Sequence, residues 1–159
     1  SSLLVRDVAG SYRPAEPAEV LQAALRVLAG QLRGAEMLSS PQAVRDFLRI
    51  KLGTLEQEVF AVIHLDAQHR VIEYVEMFRG TVTQTSVYPR EVVKEAMAHN
   101  TAAIVLVHNH PSGVAEPSRA DEHLTQTLKS ALSLVDVRVI DHLIVAGPTI
   151  LSFAESGLL

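Results

Sequence analysis

Apolar residues first recur at helical spacing between residues 18 and 33, at Val20, Leu21, Ala24, Leu25, Leu28 and Leu32. Gly34 follows where a C-terminal cap belongs. Residues 1–16 hold Gly10, Ser11 and Pro14, with Pro17 just beyond, and predict a loose arm. Ser40-Pro41 is an N-cap followed by proline at the first helical position. The helix it predicts runs to Leu52, puts Val44, Phe47, Leu48 and Leu52 on one face, and is ended by Gly53. The two helices predict a hairpin packed on the remaining domain, the alternative being a first helix that serves a partner.

From Glu58 the period changes. Residues 58–65 are β-rich, residues 66–69 form a turn, and residues 70–78 alternate as a second strand, which predicts a β-hairpin. Gly80 breaks it, and the β-branched stretch 81–87 predicts a third strand. Pro89 opens a helix through His99 that Asn100 closes. Residues 102–107 are a continuous apolar run, the mark of a buried central strand that delivers His108 at its end. A helix over 118–134 and strands over 137–146 and 149–153 complete the chain. The order α-α-β-β-β-α-β-α-β-β predicts an α/β fold, a mixed β-sheet flanked by helices, with an N-terminal helical segment over residues 1–38 and one domain over 39–159.

Composition narrows the function classes. Hydrophobic residues make up 48% of the 159 positions and charged ones 20%, so the chain should fold around one ordinary core. It has no cysteine, which excludes disulfides, a zinc ribbon, a thiol nucleophile and the Cys-based zinc deaminases. No apolar run approaches the roughly 18 residues of a membrane span and no signal peptide opens the chain, so a cytoplasmic place is expected. The formal net charge is −4, where nucleic-acid binding normally shows a basic balance or stripe. Arg45, Arg49 and Lys51 come nearest to a basic cluster and read as the solvated face of their helix.

The chemistry gathers in residues 108–121. His108 and His110 point to one face at a strand's end, because side-chain direction has period two. Pro111, Gly113 and Pro117 turn the chain so that Asp121 comes back towards them. Two nitrogens and one carboxylate leave one position of a tetrahedral zinc open, the arrangement of a catalytic site. Ser118-x-x-Asp121 is at the same time a helix capping box, and both readings hold together. A nuclease would want two metals and more carboxylates. The adjacent letters His108-Asn109-His110 do not make an HNH nuclease site, whose residues are spread over a ββα unit.

His108-x-His110, seven residues, Ser118-x-x-Asp121 resembles the signature of the JAMM (JAB/MPN) metalloprotease superfamily. Pro89-Arg90-Glu91-Val92, the stretch from Ala103 to Gly113, Glu116-Pro117-Ser118-Arg119, Asp141-His142 and Ser152-Phe153-Ala154-Glu155 are similar to its bacterial RadC-like branch. The resemblance covers about residues 40–159. It implies Zn2+ held by His108, His110 and Asp121, a general base at Glu58, and an oxyanion-stabilising hydroxyl at Ser118. Glu56, Glu73 and Glu76 compete for the base, and Asp141-His142 either orients a ligand or is a core pair. His64, His69, His99 and His123 read as structural or surface residues. The function so implied is a zinc-dependent peptide or isopeptide hydrolase acting on a peptide or protein substrate. The short connection over 73–86 favours a small or extended peptide. The alternative is a RadC-like accessory protein of DNA repair or mobile-element metabolism that binds DNA or protein without proteolysis. Longer members of the branch carry an N-terminal helix-hairpin-helix module, and no such Gly-rich hairpin is visible in residues 1–40.

Overall fold

The computed structural model describes residues 2–82 and 86–159. Strands β1 (Leu4–Arg6) and β2 (Tyr12–Pro14) precede helices α1 (Pro17–Leu32) and α2 (Pro41–Leu52). Then come β3 (Val59–Leu65), β4 (Val71–Arg79), α3 (Pro89–Ala98), β5 (Ala103–Asn109), α4 (Arg119–Ser133), β6 (Arg138–Ala146) and β7 (Thr149–Ser152). The larger sheet has the order β4-β3-β5-β6-β7. Among the described residues only β5 and β6 are parallel, joined by the α4 crossover, while β3 pairs antiparallel with both β4 and β5. This is the mixed sheet flanked by helices that the pattern predicts.

Period-two alternation assigns the two faces of the sheet. Val59, Ala61, Ile63 and Leu65 share a core with Ala103, Val105 and Val107, covered by Val44, Phe47, Leu48 and Leu52 of α2. Phe60, Val62, Ile104 and Leu106 face the opposite way, into a second core with Val92 and Ala96 of α3 and Leu124, Leu128 and Leu132 of α4. The central strand β5 is buried along its whole length, as its apolar run requires.

The first helix packs on the domain: Leu32 is buried in the α2-side core, and Leu25 and Leu28 pack against it. Gly34 adopts φ +78, a left-handed turn that glycine takes without a Cβ penalty, and its N–H donates to the Val71 carbonyl. Arg45 and Arg49 are less free than a solvated helix face: Arg49 donates to the Pro148 carbonyl at 2.8 Å and Arg45 reaches Ile150 and Glu155. They tie α2 to the β6–β7 hairpin.

Two expectations change. Residues 4–14 are not a loose arm but an antiparallel hairpin of two three-residue strands. Its exposed strands show none of the hydrophobic alternation that reveals a half-buried pair. The third strand expected over 81–87 falls partly on residues 83–85, outside the described residues, and the flanking Thr81, Val82, Ser86 and Val87 are not in strand. At those described positions β-branching expresses local propensity without strand pairing.

Docking of α1 predicts that Leu32→Ala costs about 2–5 kcal/mol, the range for a buried leucine deletion. Urea unfolding at equilibrium checks this, and an unchanged midpoint would mean that α1 is energetically detached.

Candidate metal centre

The register brings the site residues to one end of the sheet. Phe60 pairs with His108 across β3–β5, so the start of β3, where Glu58 precedes Val59, lies beside the end of β5. His108 faces the α3–α4 side, as Leu106 and Ile104 do. The parallel β5–α4–β6 crossover then sets the N-terminus of α4 next to that end. Ligands commonly bind outside the carboxyl ends of parallel strands. Glu58, His108, His110, Ser118 and Asp121 line one cleft of about 710 Å3, together with Glu56, Gln57, Gly80, Thr81 and Val82.

Helix capping positions the carboxylate. Ser118 Oγ accepts from the Asp121 N–H at 3.0 Å, and the Ser118 N–H donates to Asp121 Oδ2 at 2.8 Å. The box satisfies two otherwise orphaned donors of α4 and fixes the Asp121 rotamer. Asp121 Oδ1 then lies 3.0 Å from His108 Nε2, Asp121 Oδ2 lies 3.2 Å from His110 Nε2, and the two Nε2 atoms are 2.9 Å apart.

Hydrogen-bond direction decides what these atoms are. The Thr125 hydroxyl donates to the Asp121 carbonyl at 2.7 Å, which uses its one hydrogen. Towards His142 Nδ1, 2.6 Å away, Thr125 Oγ1 therefore only accepts, and the proton sits on His142 Nδ1. Neutral His142 then accepts at Nε2 from His108 Nδ1–H, 2.8 Å away. That leaves His108 Nε2 a bare lone pair. His110 Nδ1 lies 2.9 Å from the Val114 carbonyl, which only accepts, so neutral His110 also carries its lone pair on Nε2. With both rings neutral, two lone pairs and an ionised carboxylate converge, donors that fit a cation of the zinc class; with a proton on Nε2, either ring instead hydrogen-bonds the carboxylate.

The electrostatics agree. Burial, with the neighbouring His108 ring adding to it, holds His142 well below the ordinary histidine value, in keeping with a neutral relay. His110 is raised, chiefly by its hydrogen bond to Asp121 with burial opposing. Burial pushes the Asp121 carboxyl up, but hydrogen bonds to His108 and His110 outweigh it and hold the group far below the usual carboxylate range. Positive charge between rings and carboxylate is what the arrangement favours.

The remaining site residues separate clearly. Glu58 accepts a hydrogen bond from the Val82 N–H. Glu56 shares the cleft, whereas Glu73 pairs with Arg33 and Glu76 with Arg79, both away from it. Asp141 and His142 point to opposite faces: His142 is fully buried against Phe153 and bonded to His108. Asp141 accepts from its neighbour's N–H, Ser152 Oγ and the Ala154 N–H. His123 is exposed on α4 and His69 sits in the β3–β4 turn. His64 and His99 form, with Glu95, a second group of convergent donors.

Two contributors escaped the sequence reading. Buried Asn109, between the two histidines and facing the other way, accepts from the Val59 N–H at 2.7 Å and donates to the Gln57 carbonyl at 3.0 Å. It thereby clamps the backbone on both sides of Glu58. The other is Thr125, one turn after Asp121 on α4. The i, i+4 spacing was readable, but nothing in the sequence says what faces it.

The RadC-like JAB domain model matches residues 38–158. A UPF0758 protein of Leptothrix cholodnii is 61% identical over 150 residues, covering 94% of this chain and 68% of that protein. One of Methylibium petroleiphilum is 56% identical over 167 residues, covering all of this chain and 75% of the relative. A third, from a Polaromonas species, is 59% identical over 150 residues, covering 94% of this chain and 67% of its own.

Thr125→Val removes the acceptor for His142 Nδ1–H at matched volume. A loss of about 1–3 kcal/mol in denaturation is expected, with the His142 Nδ1–H signal displaced in imidazole 15N spectra. Unchanged stability and an unchanged tautomer would break the proton count above.

Proposed function

This chain belongs to the RadC-like JAB domain family, and from that membership and the converging lone pairs we propose that it is a zinc-dependent hydrolase of peptide or isopeptide bonds. The observation that carries the reading is the meeting of His108 Nε2, His110 Nε2 and the Asp121 carboxylate within 3.2 Å of one another. His108, His110 and Asp121 would hold the ion, with a fourth position left to the reacting water. Zinc in such a site supplies Lewis-acid polarisation and a hydroxide-strength nucleophile near neutral pH.

The chain's own groups do the rest. Glu58 takes the proton from the attacking water and returns it to the leaving amine. The Val82 N–H holds one of its carboxylate oxygens, and the Asn109 clamp fixes the backbone on either side. Ser118 Oγ already accepts from Asp121, so its own hydrogen is free to donate to the oxyanion that forms on the scissile carbonyl. His142 and Thr125 keep the His108 lone pair directed at the ion.

The cleft favours a peptide over a nucleic acid. Among the described residues its carboxylates are Glu56, Glu58 and Asp121, and neither lysine nor arginine lines it, so these residues offer no cation to a phosphate backbone. The short segments at Gly80–Val82 and Pro111–Ser112 bound it, which suits an extended peptide better than a large folded conjugate.

Glu58→Gln is expected to lower cleavage of a quenched peptide library by about 100- to 10,000-fold, the range for a lost general base, while zinc at this centre is retained. His108→Ala should lose both the ion and cleavage. Ser118→Ala should lower turnover by about 100- to 1,000-fold and also cost about 1 kcal/mol of stability as a lost N-cap. Full activity in Glu58→Gln would remove the base assignment, and zinc content unaltered by His108→Ala would remove the centre.

A further inference from the structure

The second group of convergent donors lies at the opposite end of β3. His64 pairs with Ile104 there, six residues from the cleft-side Glu58, and faces the α3 side of the sheet. One ligating atom each from His64, His99 and Glu95 lie within 4.8 Å of one another. We propose that His64, His99 and Glu95 form a second zinc-class cation site, separate from the cleft, that binds the C-terminal end of α3 to β3.

Three features argue for a built site. His64 is fully buried, its Nδ1 lies 2.9 Å from Thr101 Oγ1, and its Nε2 has no hydrogen-bond partner among the described residues. An unpartnered ring nitrogen in a protein interior is desolvated for nothing in return, and a cation is what would use it. His99 has the matching polarity: its Nδ1 is 2.9 Å from the Glu95 carbonyl, which only accepts, so neutral His99 keeps its lone pair on Nε2. Glu95, one turn earlier on α3, supplies the anionic oxygen, 3.4 Å from His99 Nδ1. Burial, with His99 adding to it, holds His64 down to about 4, so this ring is a neutral ligand throughout the physiological range.

Two imidazoles and a carboxylate without thiolate select zinc, copper or nickel over magnesium or calcium. The two rings stack with centroids 4.6 Å apart and planes 13° from parallel. An ion bound in the plane of both therefore requires His99 to turn. His99 caps α3 at the surface and is partly exposed, so the buried His64 is the fixed ligand and His99 the closing one. Occupancy would pin the end of α3 against β3.

The test is a zinc titration against a competing chromogenic chelator, on wild type, Asp121→Ala, His99→Ala and Glu95→Gln, with imidazole 15N spectra of Asp121→Ala. Two ions per chain are expected in wild type and one each in Asp121→Ala and His99→Ala. Glu95→Gln should bind the second ion more weakly. Zinc should move the His64 and His99 ring resonances in Asp121→Ala. The last variant isolates the second site, because it lacks a donor of the cleft. His99 and Glu95 are partly exposed, so their variants remain informative should His64 variants fail to fold. A His99→Ala protein that binds as many ions as wild type overturns the proposal, as does a wild type whose single ion is lost in Asp121→Ala. So does zinc that leaves the His64 resonances unmoved. If Asp121→Ala binds as many ions as wild type while His99→Ala binds one fewer, the cleft assignment fails and this one stands.

Discussion

The Thr125 hydroxyl has one hydrogen, and the Asp121 carbonyl one turn below takes it. From that single commitment the proton positions of His142 and His108 follow in order, each neutral ring donating from Nδ1 and keeping its lone pair on Nε2. The relay begins on the backbone of Asp121 and ends on a lone pair aimed at the carboxylate of the same residue. Ligand and orienter are therefore held by one helical turn. His142 and Thr125 are both fully buried, so the bonds work in a low-dielectric setting where a mispaired group is costly.

The fold delivers these groups through its one parallel pair. An antiparallel β5–β6 pair could be closed by a tight turn at this end, with no helix between the strands. The crossover instead places the first turn of α4 beside His108, where capping and ligand geometry use the same side chains. Ser118 illustrates the economy: one lone pair caps the helix while its hydrogen remains for the cleft. The antiparallel β3 brings Glu58 to the same end from the other flank. Three elements of different direction thus contribute to the centre, which is why loop chemistry at Pro111–Pro117 alone would not reproduce it.

What the sequence disclosed and what it withheld divide along physical lines. The α2 face, the apolar β5 and the Ser118 cap rest on local periodicity and capping chemistry, and each was readable. His108, His110 and Asp121 could be grouped because spacing alone carries them to one end of a strand and one helix start. The functions of Asn109, Thr125 and His142 depend on register between β3 and β5 and on what α4 lies against, and no spacing encodes those. Asp141-His142 shows this sharply: adjacent letters suggested one unit, but strand alternation sends Asp141 to the α2 side and His142 to the α4 side. The β1–β2 hairpin was hidden for the opposite reason, since exposed three-residue strands bury too little to leave a pattern. His64 and His99 looked like ordinary structural or surface histidines because they lie far apart in sequence.

Asn109 joins the strand that carries His108 and His110 to the backbone on either side of Glu58. Alternation turns its side chain away from the histidines on either side, towards the α2 face, where it accepts from Val59 N–H and donates to the Gln57 carbonyl. Any shift of β5 that moves His108 therefore drags the backbone flanking Glu58 with it. A hydrolytic centre of the proposed kind would need its base and its nucleophilic water in fixed separation, since small misplacements cost large factors in rate. A loop-borne glutamate would not ordinarily meet that demand. Here the amide of one buried residue makes the position of Glu58 a property of the same strand that carries His108 and His110, so the cleft can stay open without losing its geometry.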